Sequence, residues 1–245
     1  MQTRPQTAIV IGGGVAGIAA AVALSEAGLR VELVEKRPLL GGRASSFIEH
    51  GTGERLDVCQ HGTMRCCTNL ADLLDRLGAH QNIRYLDTLE FIGPDGTRSS
   101  ICSSPLPAPF HTSLSFARFR LLSVRDKIAI ARGLMRILRT PASAELDRSN
   151  MADWLRRSGQ TPRAVARFWR PILLSACNDE PEQIATVYGF KIFRDGFLTH
   201  RSAFHFGIPK VPLGTLYTEP AIAFLKARGS CARLRDRVRE LRVDR

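Results

Sequence analysis

The amino-acid sequence predicts an α/β fold that opens with a parallel βαβ unit and continues into a mainly helical region. Two short apolar runs, Ala8–Ile11 and Val31–Val34, are predicted strands. The alanine-rich segment Val15–Ala27 between them is a predicted helix, which Gly28 ends. Strand, helix and strand in this order indicate a parallel pair with a right-handed crossover. From Ser123 onwards the apolar residues recur at helical spacing.

The later elements are predicted from capping residues, turn residues and apolar spacing. Ser123 and Asp126 have the spacing of a capping box, and the Pro-Asp-Gly run at 94–96 is a turn. Prolines at 105, 107 and 109 mark a rigid connection, near which we expect a change of domain. Further helices are predicted at Asn69–Leu77 with Asn69 as cap, Met151–Arg157, Pro162–Ala176 with Thr161 as cap, Pro181–Phe193 and Pro220–Ala227. The last segment reads as two short strands or a helix, and strands are favoured because Leu234, Val238, Leu241 and Val243 make no clean helical face.

Charge is distributed unevenly along the 245 residues, which carry 35 Lys and Arg against 23 Asp and Glu. Residues 1–117 hold 10 basic and 11 acidic side chains, whereas residues 118–245 hold 25 and 12. A basic half indicates either an anionic partner, phospholipid or nucleic acid, or a solvated arginine-rich surface. With three Tyr and two Trp in the chain, sequence-selective RNA binding is disfavoured, and we expect no nucleic-acid partner. One predicted helix face holds the arginines at 125, 132, 136 and 139, and this face suits either an anionic membrane or solvent.

The cysteines indicate reduced thiols in the cytosol, because six of them lie at irregular spacings in a chain of this length. Cys59, His61, Cys66 and Cys67 have no second set at zinc spacing, so we expect no metal. The uncharged run after Arg4 imitates a signal peptide, but its glycine spacing favours folded structure. No segment has the ~20 apolar residues of a transmembrane helix.

The glycine-rich run between the first strand and helix has the G-x-G-x-x-G spacing of a dinucleotide-binding loop in a Rossmann-like fold. Its context strengthens the assignment, because the loop follows a strand, opens a helix, and Glu35 ends the next strand. The helix N-terminus would bind a pyrophosphate, and the acid would bind a ribose diol and disfavour NADP. The predicted contacts are Gly12, Gly13, Gly14, Val15, Ala16, Gly17 and Glu35.

A second glycine pair directly follows the ribose acid and favours FAD over a nicotinamide cofactor. FAD is longer, and two more glycines would let backbone amides approach its pyrophosphate while an arginine neutralises it. The predicted contacts of this second group are Lys36, Gly41, Gly42, Arg43 and Ala44.

This order of motifs, E-K-x-x-x-x-G-G-R after G-x-G-x-x-G, closely resembles the flavin-containing amine oxidase and phytoene desaturase superfamily. Later segments are similar to its hydroxysqualene dehydroxylase branch, namely Leu56–Gly62, Ser104–Pro109, Leu121–Lys127, Phe168–Pro171 and Phe193–Leu198. The resemblance implies an FAD-binding domain with an inserted, mostly helical substrate domain. It also implies reductive dehydroxylation of hydroxysqualene to squalene, for hopanoid or triterpenoid lipids. A substrate of this kind lives in the bilayer, so we expect a cytoplasmic protein with peripheral contact to the inner face of an anionic membrane.

Loss of a hydroxyl group requires an acid, and the candidates within family-like segments are His61 and Asp195. His61 is preferred because the unperturbed pKa of histidine lies near neutrality. The alternative role for His61 is a hydrogen-bonded neighbour of the flavin, and the alternative for Asp195 is a turn or an ion pair with Arg194.

The resemblance also implies domain bounds at 1–95, 96–212 and 213–245, the last being a return to the FAD-binding domain. Because no second flavin-contacting segment follows residue 245, we expect an incomplete FAD domain that needs a complementing C-terminal segment. Alternatives are a carotenoid-type desaturase and an inactive fragment serving as a basic membrane-binding module.

Overall fold

The computed structural model describes residues 6–141 and 143–242. The chain forms two compact units. The first unit comprises Met1–Thr63, Cys67–Arg84 and Gly207–Arg245, and the second comprises Met64–Cys66 and Tyr85–Phe206. The domain bounds 1–95, 96–212 and 213–245 stay a prediction from the sequence.

Strands and helices alternate at the start of the chain and helices dominate its middle. The strands are β1 Thr7–Ile11, β2 Arg30–Glu35, β3 Ser46–Ile48, β4 Arg55–Asp57, β5 Thr63–Met64, β6 Ile83–Leu86, β7 Thr88–Ile92, β8 Arg98–Cys102, β9 Phe206–Pro209 and β10 Cys231–Leu234. The α-helices are α1 Val15–Glu26, α2 Thr68–Arg76, α3 Ser113–Ala117, α4 Val124–Arg139, α5 Ala144–Arg148, α6 Met151–Arg157, α7 Pro162–Ala164, α8 Arg170–Cys177, α9 Thr186–Phe193 and α10 Leu213–Ala227.

The first unit contains a three-stranded parallel sheet in the order β1-β2-β10, with α1 as the crossover between β1 and β2. Val31 and Leu33 of β2 and Ile18 and Val22 of α1 are buried, so the hydrophobic effect holds the helix on the sheet. The α/β class and the opening βαβ unit predicted from the sequence are confirmed, with ends within two residues of those expected.

At the end of the first unit, one predicted helix start is wrong and one predicted strand lies partly outside the described residues. Helix α10 begins at Leu213 and not at Pro220, which lies inside it. Proline lacks an N–H and leaves one helical carbonyl unpaired, but the buried side chains of Leu216 and Tyr217 in the preceding turns keep that part of the chain helical. Of the two terminal strands only β10 is present among the described residues, and Val243 lies outside them.

The second unit has a largely aromatic core. The Trp169 ring meets Phe193 edge-to-face, with centroids 4.5 Å apart, and Phe168 lies against both rings. Seven helices, α3–α9, and the antiparallel hairpin β7–β8 surround this core within the described residues. The turn predicted at 94–96 connects the two strands of the hairpin.

The helix bounds within 162–193 differ from the predicted ones for two local reasons. Thr161 caps its helix as expected, but a π-helical segment, Val165–Trp169, interrupts it before Pro171, which has no N–H to donate. Helix α9 begins at Thr186 because the preceding residues pair in extended form with the 149–151 segment: the Met151 amide donates to Ile184 and the Thr186 amide to Ser149, each at 2.8 Å.

The caps of α4 and α2 give opposite outcomes. The capping box of Ser123 and Asp126 is confirmed in α4. In α2, Cys67 and not Asn69 is the N-cap residue, so the predicted cap is wrong.

Across the described ranges, no helix is both long and apolar enough to cross a bilayer. Nor do those ranges contain a group of three or more His, Cys, Asp or Glu side chains arranged to bind a metal ion.

Candidate functional site

The first glycine cluster forms the loop between β1 and α1. Gly12 has a φ of 99°, in the region that glycine adopts without strain, and its amide donates to the Val34 carbonyl at 2.8 Å. A Cβ at Gly17 would lie only 1.9 Å from the Gly12 carbonyl oxygen. Glycine at 17 therefore lets the first turn of α1 pack directly against this loop.

Glu35, the last residue of β2, is buried and ties the loop to the sheet. Its Oε2 accepts from the Gly13 amide at 2.7 Å, and its Oε1 accepts from the Arg37 amide at 2.8 Å. A Cβ at Gly13 would lie 2.3 Å from the Leu40 side chain, so this position also has no room for one. A carboxylate oxygen has two lone pairs, so each oxygen keeps one for a ribose hydroxyl.

The second glycine pair packs against the first cluster. The Gly41 amide donates to the Gly13 carbonyl at 2.8 Å, and Gly41 and Gly14 form a parallel bridge. A Cβ at Gly42 would lie 3.0 Å from the Cα of Gly14. Both members of the pair have positive φ, 104° and 63°. The pair thus brings the segment after β2 to the start of α1 at backbone-to-backbone distance.

Three further side chains hold this segment in place. The Leu40 amide donates to the Thr218 hydroxyl of α10 at 3.0 Å, and the Ser45 hydroxyl donates to the Leu40 carbonyl at 2.8 Å. The Arg37 guanidinium donates to the Gly42 carbonyl at 3.0 Å. Sequence reasoning missed Arg37, although its contact with Gly42 spans only five residues, and it missed Thr218, because a contact made through the packing of α10 leaves no local signal.

The start of α1 is prepared to bind an anion. Gly14 is its N-cap residue, no side chain caps it and its first turn has no acid, so the amides of Val15 and Ala16 meet no competing carboxylate there. The helix dipole and these amides favour a phosphate group. Lys36 and Arg43 are exposed and form no ion pair or side-chain hydrogen bond with any residue in the described part of the chain.

These features fit the diphosphate of FAD. No heavy atom lies within 4 Å of the positions that a Cβ would take at Gly12 and Gly14. Open space therefore lies beside the uncapped amides. Both glycine groups line one loop, with a buried carboxylate at the end of β2 and a free guanidinium at Arg43. The predicted cofactor residues thus converge in the first unit.

His61 lies in the same unit and faces a cavity of about 160 Å³. Val15, Ala44 and Tyr217 also line this cavity, which places His61 beside two predicted cofactor residues. The His61 Nδ1 lies 3.1 Å from the Cys59 carbonyl oxygen and 3.3 Å from its Sγ. Burial raises the pKa of Tyr217, so its phenol stays neutral.

Asp195 lies in the second unit, in a π-helical segment, Arg194–Leu198. Its Oδ2 accepts from the Lys191 ammonium at 2.6 Å. The predicted ion pair with Arg194 is wrong: one of that guanidinium's nitrogens donates to the carbonyls of Ile137 and Thr140 instead.

Curated relatives are carotenoid and squalene enzymes. A zeta-carotene desaturase of Zea mays is 32% identical over 175 residues, which cover 66% of this chain and 30% of that protein. A probable zeta-carotene desaturase of Synechococcus elongatus is 28% identical, and the alignment covers 95% of this chain and 50% of that protein. A hydroxysqualene dehydroxylase of Zymomonas mobilis is 26% identical, and the alignment covers 95% of this chain and 54% of that protein. The chain thus spans about half or less of the length of these relatives.

Solved structures share the fold. An oxidoreductase from Methanosarcina mazei has a TM-score of 0.66 at 20% identity, covering 94% of this chain and 51% of that one. Wild-type putrescine oxidase bound to putrescine has a TM-score of 0.53 at 22% identity, and the match covers 95% of this chain and 51% of that one.

The family assignment rests on the sequence profile of the flavin containing amine oxidoreductases, which matches residues 15–244. This match includes Gly17 of the first glycine group, the second glycine pair, the acid Glu35 and the helical region. With the fold and the geometry of the loop, it identifies the cofactor as FAD. The chain belongs to the flavin containing amine oxidoreductase family.

Proposed function

We propose that this chain works as an FAD-dependent oxidoreductase on an isoprenoid lipid. The observation that carries the proposal is the contact between the two glycine groups at the uncapped start of α1, beside the unpaired Arg43. This arrangement suits a diphosphate, because backbone amides and the positive end of the helix dipole meet at one loop and Arg43 lies next to Gly42 in the same segment. The substrate class is supported by the relatives named as carotenoid desaturases and as a hydroxysqualene dehydroxylase.

The leading reaction is reductive dehydroxylation of hydroxysqualene to squalene. It is supported by the family-like segments of the sequence and by the relative that aligns over 95% of the chain. The C–O bond breaks, a C–H bond forms, and the hydroxyl leaves as water after taking up one proton. Reduced FAD, when bound, would supply the hydride.

His61 is the proposed proton donor, because it lines the cavity that Val15 and Ala44 also line. An Nδ1–H that donates to the Cys59 carbonyl would orient the ring and leave Nε2 to carry the transferred proton. Asp195 stays a second candidate, although its carboxylate is engaged by Lys191. Apolar side chains around the cavity, such as Leu213 and Leu216, would exclude water from the donor.

A second candidate function is desaturation of a carotenoid precursor. It is favoured by one observation, the 32% identity with a zeta-carotene desaturase over 175 residues. In that reaction the lipid would be oxidised rather than reduced.

Product analysis separates the two functions. The purified chain is incubated with FAD under reducing conditions with hydroxysqualene, and under oxidising conditions with zeta-carotene. Squalene formation supports the leading proposal, and a more unsaturated carotenoid supports the second. The same incubations are repeated with the C-terminal half of a full-length relative supplied as a separate polypeptide. If FAD binds and neither product forms with or without that segment, the isoprenoid proposal is contradicted.

Both substrates reside in bilayers, so we also propose that the protein binds peripherally to the cytoplasmic face of a membrane. The proposal also includes an additional polypeptide segment over the face of the sheet that carries Ile9 and Ile11 of β1. These two side chains lie two residues apart on one face of the strand and are 66% and 49% exposed, which supports such a covering.

A further inference from the structure

Helix α4 has two apolar faces, of which only one is buried. Ile130 and Ile137 point into the core of the second unit and are fully buried. Val124 and Ile128 lie on the other side of the helix and are 72% and 47% exposed. At about 100° per residue, this exposed stripe is centred roughly 140° from the buried one. The outer stripe consists of Val124, Ile128, Ala131 and Met135.

A row of arginines runs beside the outer stripe, about 80° around the same helix. All are exposed, and none of their guanidinium groups forms an ion pair or hydrogen bond with a residue in the described part of the chain. If these arginines only stabilised the fold, some of their N–H groups would be expected to donate hydrogen bonds to other residues of the chain. The arginine row consists of Arg125, Arg132, Arg136 and Arg139.

The outer stripe and the arginine row line one groove of about 1040 Å³, closed on its far side by Ser158, Gly159 and Thr161. Among the described residues, no acidic side chain lines this groove. The single acid of α4, Asp126, is buried at the helix start, where its carboxylate accepts from the hydroxyls of Ser123 and Thr161. The positive charge of the row is therefore not neutralised by its surroundings.

The pairing of apolar and cationic stripes selects the partner. A nucleic acid would use the arginines but would leave Val124 and Ile128 without a role. A purely solvated face would not be expected to expose two β-branched apolar residues one turn apart. An anionic bilayer uses both, because apolar side chains enter the acyl boundary while guanidinium groups bind lipid phosphates. The helix, at 1.5 Å per residue, offers about 24 Å of such surface.

We propose that the outer face of α4 docks the second unit on an anionic phospholipid bilayer. The docking face consists of the outer stripe and the arginine row, with the helix axis parallel to the membrane plane. This inference deepens the membrane contact within the proposed function. The test measures membrane binding only. Membrane binding can therefore be absent while flavin chemistry is retained, and flavin chemistry can be absent while membrane binding is retained.

The test is flotation of the purified chain with two kinds of vesicle, pure phosphatidylcholine and equal parts phosphatidylcholine and phosphatidylglycerol. The wild type is expected to float with the anionic vesicles only, and less so as salt is raised. Each basic residue at an anionic surface contributes roughly fivefold to binding, so losing four should weaken it about a hundredfold or more. The row variant is R125Q/R132Q/R136Q/R139Q, and the matched control, with the same charge removed from exposed positions elsewhere, is R30Q/R84Q/R98Q/R239Q.

A stripe variant, V124S/I128S, separates a lipid surface from a polyanion site. It is expected to weaken vesicle binding roughly tenfold while leaving any binding to single-stranded RNA unchanged. The proposal is overturned if the wild type fails to prefer anionic vesicles, if the control weakens binding as much as the row variant, or if the stripe variant binds vesicles normally. The comparison of the two vesicle types needs no variant, so the proposal stays testable even if a variant does not fold.

Discussion

Replacing Gly14 by alanine separates cofactor binding from folding. Gly14 has φ −68° and ψ 170°, which alanine adopts without strain, and the added methyl would have no heavy atom within 4 Å. The free energy of unfolding should therefore stay within about 1 kcal/mol of the wild type, or rise slightly, because alanine restricts the unfolded chain.

The same methyl would occupy the space that the cofactor's diphosphate is expected to take beside the first-turn amides. Loss of one charged hydrogen bond costs about 1.5–3 kcal/mol, so FAD affinity should fall roughly ten- to a hundredfold. Quenching of FAD fluorescence measures the affinity, and thermal unfolding without FAD measures the stability.

Gly28→Ala serves as the control for this pair of measurements. Gly28 also has open space around its Cβ position but has a φ of 86°, so the change should cost about 1–2 kcal/mol of stability and leave FAD affinity unchanged. If Gly14→Ala binds FAD as tightly as the wild type, the diphosphate does not lie at the start of α1 and the reasoning fails.

Three further changes probe the surrounding residues. Gly17→Ala should lower the free energy of unfolding by about 1–3 kcal/mol, seen as a lower melting temperature, because its Cβ would meet the Gly12 carbonyl at 1.9 Å; an unchanged melting temperature would contradict the close packing. Glu35→Gln should lower the free energy of unfolding by about 1–3 kcal/mol and weaken FAD binding, because the amide NH2 that replaces one carboxylate oxygen cannot accept a hydrogen bond from a backbone N–H group. Calorimetric titration measures the affinity for FAD. An unchanged free energy of unfolding would contradict the two hydrogen bonds from the Gly13 and Arg37 amides to Glu35. His111→Phe should stabilise the chain by about 1 kcal/mol, because both ring nitrogens of His111 are buried without a partner while its ring stacks on Phe204. Burial, and then the electrostatic influence of Arg201, His200 and His205, lower the pKa of His111, so the unfolded chain binds a proton there more readily than the folded chain. The free energy of unfolding should therefore fall below about pH 6.5 in the wild type and fall less in His111→Phe. Identical pH profiles of urea unfolding would show that His111 is not responsible.

The opening of the fold was predictable because its signals are local. The strand, helix and strand around Gly12–Gly17 follow from apolar periodicity and glycine spacing, and both are written within 35 residues. The capping box at Ser123 is equally local, since its two members are three residues apart.

Errors arose where packing opposes a local signal. Proline is common in the first turn of a helix, so Pro220 is predicted to begin one, but buried residues before Pro220 extend α10 by two turns towards the N-terminus. The start of α9 is set by pairing with the 149–151 segment, which no residue near Thr186 announces.

The candidate site shows the same division between local and tertiary signals. The sequence singled out both glycine groups as cofactor contacts, and these assignments stay a prediction. The structure adds that Gly42 contacts Gly14 directly and that Thr218 fixes the Leu40 backbone. Neither contact could be derived from spacing, because each depends on how separate segments pack in the first unit.

The central claim is that both glycine groups form one FAD site, and a visible absorption titration of the purified chain tests it most directly. Adding FAD should give a saturable shift of the flavin absorption bands for the wild type and a much weaker response for Gly14→Ala. A folded wild-type chain that leaves the spectrum of FAD unchanged at every concentration would contradict the claim.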